Sequence, residues 1–264
     1  MMKTIHIFSI LLVVAFVISL SSTCWAIEDK SLILYFSFDS AKGKTVEDMT
    51  GNKHDGTLNN ADIIKKPVKI GKGALNIEDM NAGMTVETFK ELEEYQDNTF
   101  VFWVYFTAGS NGAWSQIIAK KAPGSDRSPG IWINPGGTGI HYRYNPGNQG
   151  AGRIGPGGEG NNFPTDEWFH IAGVKKGSNL KVYINGEEEG SYGVPAKHAQ
   201  GPEKLYIGQT GYRAATFIID DLAIYNRALT EKEVKEDMEK GVLPEAVDAE
   251  DKLAATWSSI KASY

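Results

Sequence analysis

Residues 168–190 read WFHIAGVKKGSNLKVYINGEEEG, and this stretch constrains the fold more than any other part of the chain. Trp168, His170, Ala172 and Val174 alternate with Phe169, Ile171 and Gly173, the period-two pattern of a strand whose side chains point to opposite faces. Lys175 to Asn179 is a polar, glycine-containing turn. Leu180, Val182 and Ile184 then alternate with Lys181, Tyr183 and Asn185, leaving one face apolar and the other amphipathic. Asn185-Gly186 reverses the chain, because both residues tolerate the positive φ of a type I′ hairpin turn. Two paired strands and the start of a third follow.

The remaining segments agree with a sheet protein. Leu32 to Phe38 (LILYFSF) reads as a buried strand ending at Asp39, and Thr99 to Phe106 (TFVFWVYF) as a central strand buried on both faces. Shorter strands are expected at Trp114–Lys120, Gly130–Asn134, Ile140–Tyr144, Leu205–Gly208 and Phe217–Tyr225. Asn145 to Pro164 is dominated by Gly, Pro and Asn without periodicity, and is expected to be the longest irregular connection. Thr230-Glu231-Lys232-Glu233 is a capping box, predicting a helix that ends at Gly241. Glycine, at 29 of 264 residues, suits many turns, and an 11% aromatic content argues against disorder.

The first 26 residues have the order of a secretory signal peptide: Lys3, an apolar run from Ile5 to Leu20, then a small-residue exit with cleavage expected after Ala26. The alternative is an uncleaved membrane anchor, although the apolar run is short for a spanning helix. Cleavage removes the single cysteine and one lysine, so the formal charge of −6 becomes −7. A secreted chain without disulfides depends on core packing, aided by any bound metal. The negative charge and the lack of a basic patch point away from nucleic acid.

Six segments together resemble the laminin-G-like domains of the concanavalin A-like lectin/glucanase superfamily. The hairpin supplies Trp168, His170, Ala172, Leu180, Val182, Tyr183, Asn185 and Gly186. The others are the aromatic strand ending at Asp39, the loop Asp48 to Leu58 (DMTGNKHDGTL), Gly73-Ala74-Leu75, Trp103 in its aromatic run, and Leu205 to Gly208 with Ile219 to Leu229. The resemblance implies an all-β fold: a two-sheet antiparallel β-sandwich of jelly-roll type with a short C-terminal helix. Its expected span is residues 27–242, with 243–264 as a tail in which Leu253, Trp257 and Ile260 form a weak helical stripe.

Two constellations are candidates for chemistry. In related domains the Asp48–Gly56 loop and the Asp of the I-D-E motif border a structural calcium ion, which carries over to Asp39, Asp48, Asn52 and Asp220. The alternative is that these residues simply form turns. The second candidate is a sugar platform of Trp114, Trp132, Tyr142 and Tyr144 with Arg143 or Arg153, aromatics for stacking and guanidinium groups for hydroxyls; packing into the core is the competing role. Catalysis is not expected. No E-x-D-x-E-like run is present, and Asp220 and Asp221, being adjacent, should point to opposite faces. Extracellular glycan or glycoprotein binding is the expected function, with protein–protein adhesion or a divergent glycoside hydrolase as alternatives.

Overall fold

The computed structural model describes residues 29–79, 81–208 and 215–242; the leader-like residues 1–26 and the tail 243–264 lie outside the described residues. Two antiparallel sheets pack face to face. The first runs β15 (Glu187–Gly193), β14 (Asn179–Ile184), β13 (Trp168–Lys176), β7 (Asn98–Ala108), β17 (Thr216–Tyr225), β5 (Ala74–Ile77), β4 (Asp62–Ile64), with β1 (Leu32–Phe36) pairing the second half of β17. The second runs β12 (Gly158–Glu159), β11 (Gln149–Gly155), β10 (Ile140–Tyr144), β9 (Gly130–Ile133), β8 (Ser115–Lys120), β16 (Leu205–Gly208), β6 (Gly83–Val86), β3 (Gly56–Asn59), β2 (Thr45–Val46). Helices α1 (Lys90–Glu94) and α2 (Glu231–Lys240) complete the fold, and no helix among the described residues is long and apolar enough to cross a membrane.

The alternation read along residues 168–190 becomes two packing surfaces. Phe169 and Ile171 face the second sheet, joining Phe100, Phe102, Val104 and Phe106 of β7 and Ile131, Ile133, Tyr142 and Tyr144 opposite. Ala172 and Val174 face the other way, where Tyr35, Val101, Ala223 and Tyr225 form a separate cluster closed by Leu229 and Val234. Helix α2 provides that cover. It starts at the expected capping box, with Thr230 Oγ1 accepting from Glu233 N at 3.2 Å, and ends at Gly241. Asn185 (φ 50°) and Gly186 (φ 80°) make the hairpin turn with the positive dihedrals it requires.

Two expectations are corrected. Residues 149–155 are not an irregular loop but strand β11, paired with β10. Its glycines hide the alternation, since a residue without a side chain shows no face. The second correction concerns β17. Between Asp220 and Ala223 the register against β7 shifts by one residue, and Asp221 takes φ 53°. This β-bulge turns Asp220 away from the face of Leu222, so Asp220 and Asp221 both lie on the outer side of the first sheet.

Gly173 marks the tightest approach of the two sheets: a Cβ there would overlap the Tyr142 ring. Gly173→Ala should therefore destabilise the protein by about 1–3 kcal/mol through overpacking. Chemical denaturation measures this; an unchanged midpoint would mean that the Tyr142 ring can swing clear at no cost.

Candidate functional site

Asp48 builds the site. It is buried, and its carboxylate accepts from Tyr35 N (3.3 Å), Thr50 N (3.1 Å), Thr50 Oγ1 (2.8 Å) and His54 N (3.1 Å). Its own amide donates to Asp55 Oδ1 at 3.0 Å, while Met49 N donates to Tyr35 O at 2.8 Å. Gly51 (φ 82°) and Lys53 (φ 66°) supply the reversals between these anchors. One carboxylate thus folds residues 48–55 into a compact loop against β1.

The loop presents Asn52 and His54 to a cleft of about 550 Å³. The floor is Leu32 and Ile33, and the rim carries Asp29, Lys30 and Glu91. The His54 ring lies flat on Phe89, centroids 3.6 Å apart and planes within 1°. Phe89 is held in place as the residue before α1, its carbonyl accepting from Glu93 N at 3.0 Å. Among the described residues the side chains of Lys30, Asn52 and Glu91 make no hydrogen bond or ion pair, so their polar groups are free to meet a ligand. Asp29 is engaged: Arg227 Nη2 bonds it at 2.8 Å and Ser31 N at 2.8 Å. Burial alone would raise its pKa, but the bonds from Ser31 and Arg227 outweigh that and hold the carboxyl below its ordinary value.

Of the expected site residues, only Asn52 reaches this cleft. Tyr142 and Tyr144 are fully buried between the sheets, so neither can serve as a sugar platform; they are core residues. Trp132 is 6% exposed on the outer face of the second sheet, with its indole nitrogen and the Arg127 side chain both crowding Gly130. Trp114 is half-buried and makes an edge contact with His141, centroids 4.8 Å apart. Arg143 bonds Ala151 O (3.1 Å) and Asn148 O (2.5 Å), and Arg153 bonds Pro135 O (3.3 Å), so both guanidinium groups brace their own turns. His54, Phe89, Lys30 and Glu91 were missed as a set. Their meeting is long-range, and nothing in the local pattern around residue 54 announces residue 89.

The four residues expected to hold calcium do not form one donor set. Among the described residues no three His, Cys, Asp or Glu side chains gather as a metal site. Asp39 accepts from Lys72 N, pinning the turn at Gly71. Asp220 Oδ2 accepts from Lys69 N (2.9 Å) and Ile70 N (3.1 Å). Calcium needs about 6–8 oxygens facing one point; here both carboxylate oxygens of Asp48 and Oδ2 of Asp220 already face N–H and O–H donors, and only Asp220 Oδ1 is buried without a partner. The donor chemistry of Asp48 and of Asp220 Oδ2 fits backbone pinning.

Asp220 and Asp221 instead belong to a buried cluster on the outer face of the first sheet, Asp220 under the turn at residues 69–72 and Asp221 beside α2. The Tyr35 hydroxyl donates to Asp221, and the Tyr225 hydroxyl donates to Asp237 Oδ2 at 3.0 Å. His170, fully buried beside Trp103, lies 3.9 Å from Asp237. Burial pushes Asp220 up to about 7 despite its two amide bonds. Burial, aided by the charges of Asp237 and Asp39, pushes Asp221 up to about 6 against the Tyr35 bond.

With this geometry in view, comparison with known proteins is informative. Residues 79–235, more than half of the chain, match the laminin-G family model described as the concanavalin A-like lectin/glucanases superfamily. The chain belongs to this superfamily. No curated protein matches it in sequence. Among solved structures, Trypanosoma rangeli sialidase in complex with 2,3-difluorosialic acid is 16% identical with a TM-score of 0.59, covering 81% of this chain and 33% of the sialidase. The binding domain of Paraclostridial mosquitocidal protein 1 is 14% identical (TM-score 0.60), covering 79% of this chain and 52% of that one. The botulinum neurotoxin serotype D ligand-binding domain, in complex with N-acetylneuraminic acid, is 16% identical (TM-score 0.60), covering 79% and 50%. The chain therefore spans about a third of the sialidase and about half of the toxin chains, and at these identities the likeness is one of fold. Asp48, Asn52 and His54 precede the residues that match the family model.

Two measurements test the electrostatics of this laminin-G-like domain. Chelation should leave its melting temperature unchanged, since the loop carboxylates are satisfied by backbone donors; a drop of several degrees would show that the loop closes on a cation after all. The pH dependence follows from Asp220 and Asp221, which bind protons more tightly folded than unfolded. Their contribution is full below about pH 4 and is lost as pH rises through 6 to 7. His141 and His198 oppose this only below about pH 6.5, because burial lowers the pKa of both. The melting temperature should fall from about pH 6.5 to 8. Asp220→Asn should flatten that fall, and equal slopes in both proteins would exclude Asp220 as its source.

Proposed function

We propose that this chain is an exported, non-catalytic carbohydrate-binding module whose ligand occupies the cleft between the Asp48-pinned loop and Phe89. The observation that carries this reading is the His54–Phe89 stack, a flat aromatic surface ringed by unengaged polar groups on Lys30, Asn52 and Glu91. Pyranose rings lay a C–H face on such a surface while their hydroxyls bond the rim. At about 550 Å³ the cleft falls within the roughly 300–1,000 Å³ typical of small-molecule sites. Membership of a lectin-containing superfamily supports the reading, as does a structural neighbour in complex with N-acetylneuraminic acid. Export rests on the leader-like residues 1–26.

A binding role accounts for the cleft better than hydrolysis does. A glycosidase needs a carboxylic acid held protonated as proton donor. Asp29, tied to Arg227 and Ser31, is held in its ionised form instead. Asp220 and Asp221, whose pKa values are raised, lie buried on the outer face of the first sheet, and neither lines the cleft.

A glycan array probed with the wild-type chain should give binders, and His54→Ala and Phe89→Ala should each weaken them at least about tenfold, a loss of about 1.4 kcal/mol or more. His54→Tyr, which keeps a flat ring in the stack, should retain most of the signal. Binding lost in Trp114→Ala but intact in both cleft variants would move the site to the outer face of the second sheet.

A further inference from the structure

We infer that the cleft selects uncharged oligosaccharides and discriminates against carboxylated ones; this rests on the glycan-binding reading above. The inference comes from what the cleft offers a negative charge. A carboxylate is best held by a guanidinium fork, whose paired N–H groups match its two oxygens. The cleft lining contains no arginine. Arg227, which reaches Asp29 at the edge, offers no intact fork: Nε donates to Ser31 Oγ at 2.7 Å, and Nη2, the nitrogen common to both of its N–H pairs, lies 2.8 Å from Asp29 and 2.7 Å from Glu233.

The remaining charges on the rim work against an anionic sugar. Lys30 is the one lysine or arginine in the lining, an exposed ammonium on a flexible stem with no partner to orient it among the described residues. It is faced by two carboxylates, the held Asp29 and the unengaged Glu91. A sugar carboxylate entering here would trade hydration for repulsion from both, and like-charge contacts in a binding site cost several kcal/mol. Hydroxyl groups meet no such penalty. A hydroxyl donates to Glu91 and accepts from Lys30, and the Asn52 amide does both in one side chain. The aromatic stack takes the C–H face of a ring. An uncharged chain of pyranoses satisfies every free group in the cleft.

The experiment is isothermal titration of the full chain with two matched sets of probes. The neutral set is cello-, laminari- and xylo-oligosaccharides, and the carboxylated set is sialyllactose and oligogalacturonate. At least one neutral probe should bind with little sensitivity to salt, and the carboxylated probes should bind at least about tenfold more weakly. Glu91→Lys should narrow that gap by favouring the carboxylated set, without loss of thermal stability because Glu91 makes no contact that the fold depends on. If carboxylated probes bind as tightly as neutral ones and His54→Ala weakens both, the site stands and the selectivity is wrong. If neutral binding survives both His54→Ala and Phe89→Ala, or if no probe binds, the site reading falls and this inference with it.

Discussion

The central strands of the first sheet are apolar on both faces, and most of the structure answers to that constraint. β7 and β17 bury nearly every side chain, so the sheet must be covered twice. The second sheet covers one face through the Phe- and Ile-rich layer. The other face is covered by α2 and by the turn at residues 69–72, each fastened to the strands by a carboxylate. A two-sided sheet of this kind explains why a helix follows directly on the last strand. It also explains why both acidic residues on that strand are buried although neither faces the second sheet.

Buried charges are met mainly by backbone groups and only rarely by counter-ions. Asp48 and Asp220 take amide donors. Lys120 is solvated by three carbonyls, those of Lys121, Gly201 and Glu203, and Lys175 by those of Gln96, Gly177 and Ala196. In each case a side chain on or beside the sandwich satisfies the unpaired backbone dipoles of a connecting loop. The loops are thereby tied to the sheets at points deep enough to exclude water. This does for a chain with one cysteine, inside its leader-like segment, what disulfides do in many small secreted domains. It also accounts for the acid-rich loop that resembles a cation site. The oxygens are present, but they serve loop closure.

Much of the fold was legible because its signals are local. Alternation located β13 and β14, the Asn185-Gly186 pair the hairpin, and the capping box α2. What stayed hidden depends on contacts between distant residues or on missing side chains. The bulge at Asp221 reverses the parity of β17 by inserting one residue, and nothing in FIIDDLAIY distinguishes it from a regular strand. β11 was concealed by its glycines, of which Gly150 sits where a Cβ would overlap the backbone of Tyr142. Tyr142 and Tyr144 looked like platform residues because they are aromatics flanking the Gly-rich stretch; period two places Arg143 outside and the tyrosines in the core. Of the cleft, one wall could be read from the loop motif. The other, Phe89, enters only through the fold.

The division of labour within residues 48–56 shows how such a scaffold can hold one shape while its ligand differs. The residues that define the motif, Asp48, Gly51 and Asp55, spend their donors, acceptors and backbone freedom on closing the loop. Those between them, Asn52 and His54, are placed by that closure, and their side chains remain available to the cleft. Changing Asp48 would therefore alter the shape of the loop and any binding together. Changing Asn52 or His54 would alter only what the rim presents. The resemblance rests on the frame residues, whose polar groups are committed to closing the loop. The proposed glycan reading puts specificity in the positions the frame leaves unconstrained, and in partners such as Lys30 and Glu91 that other segments bring to the same rim.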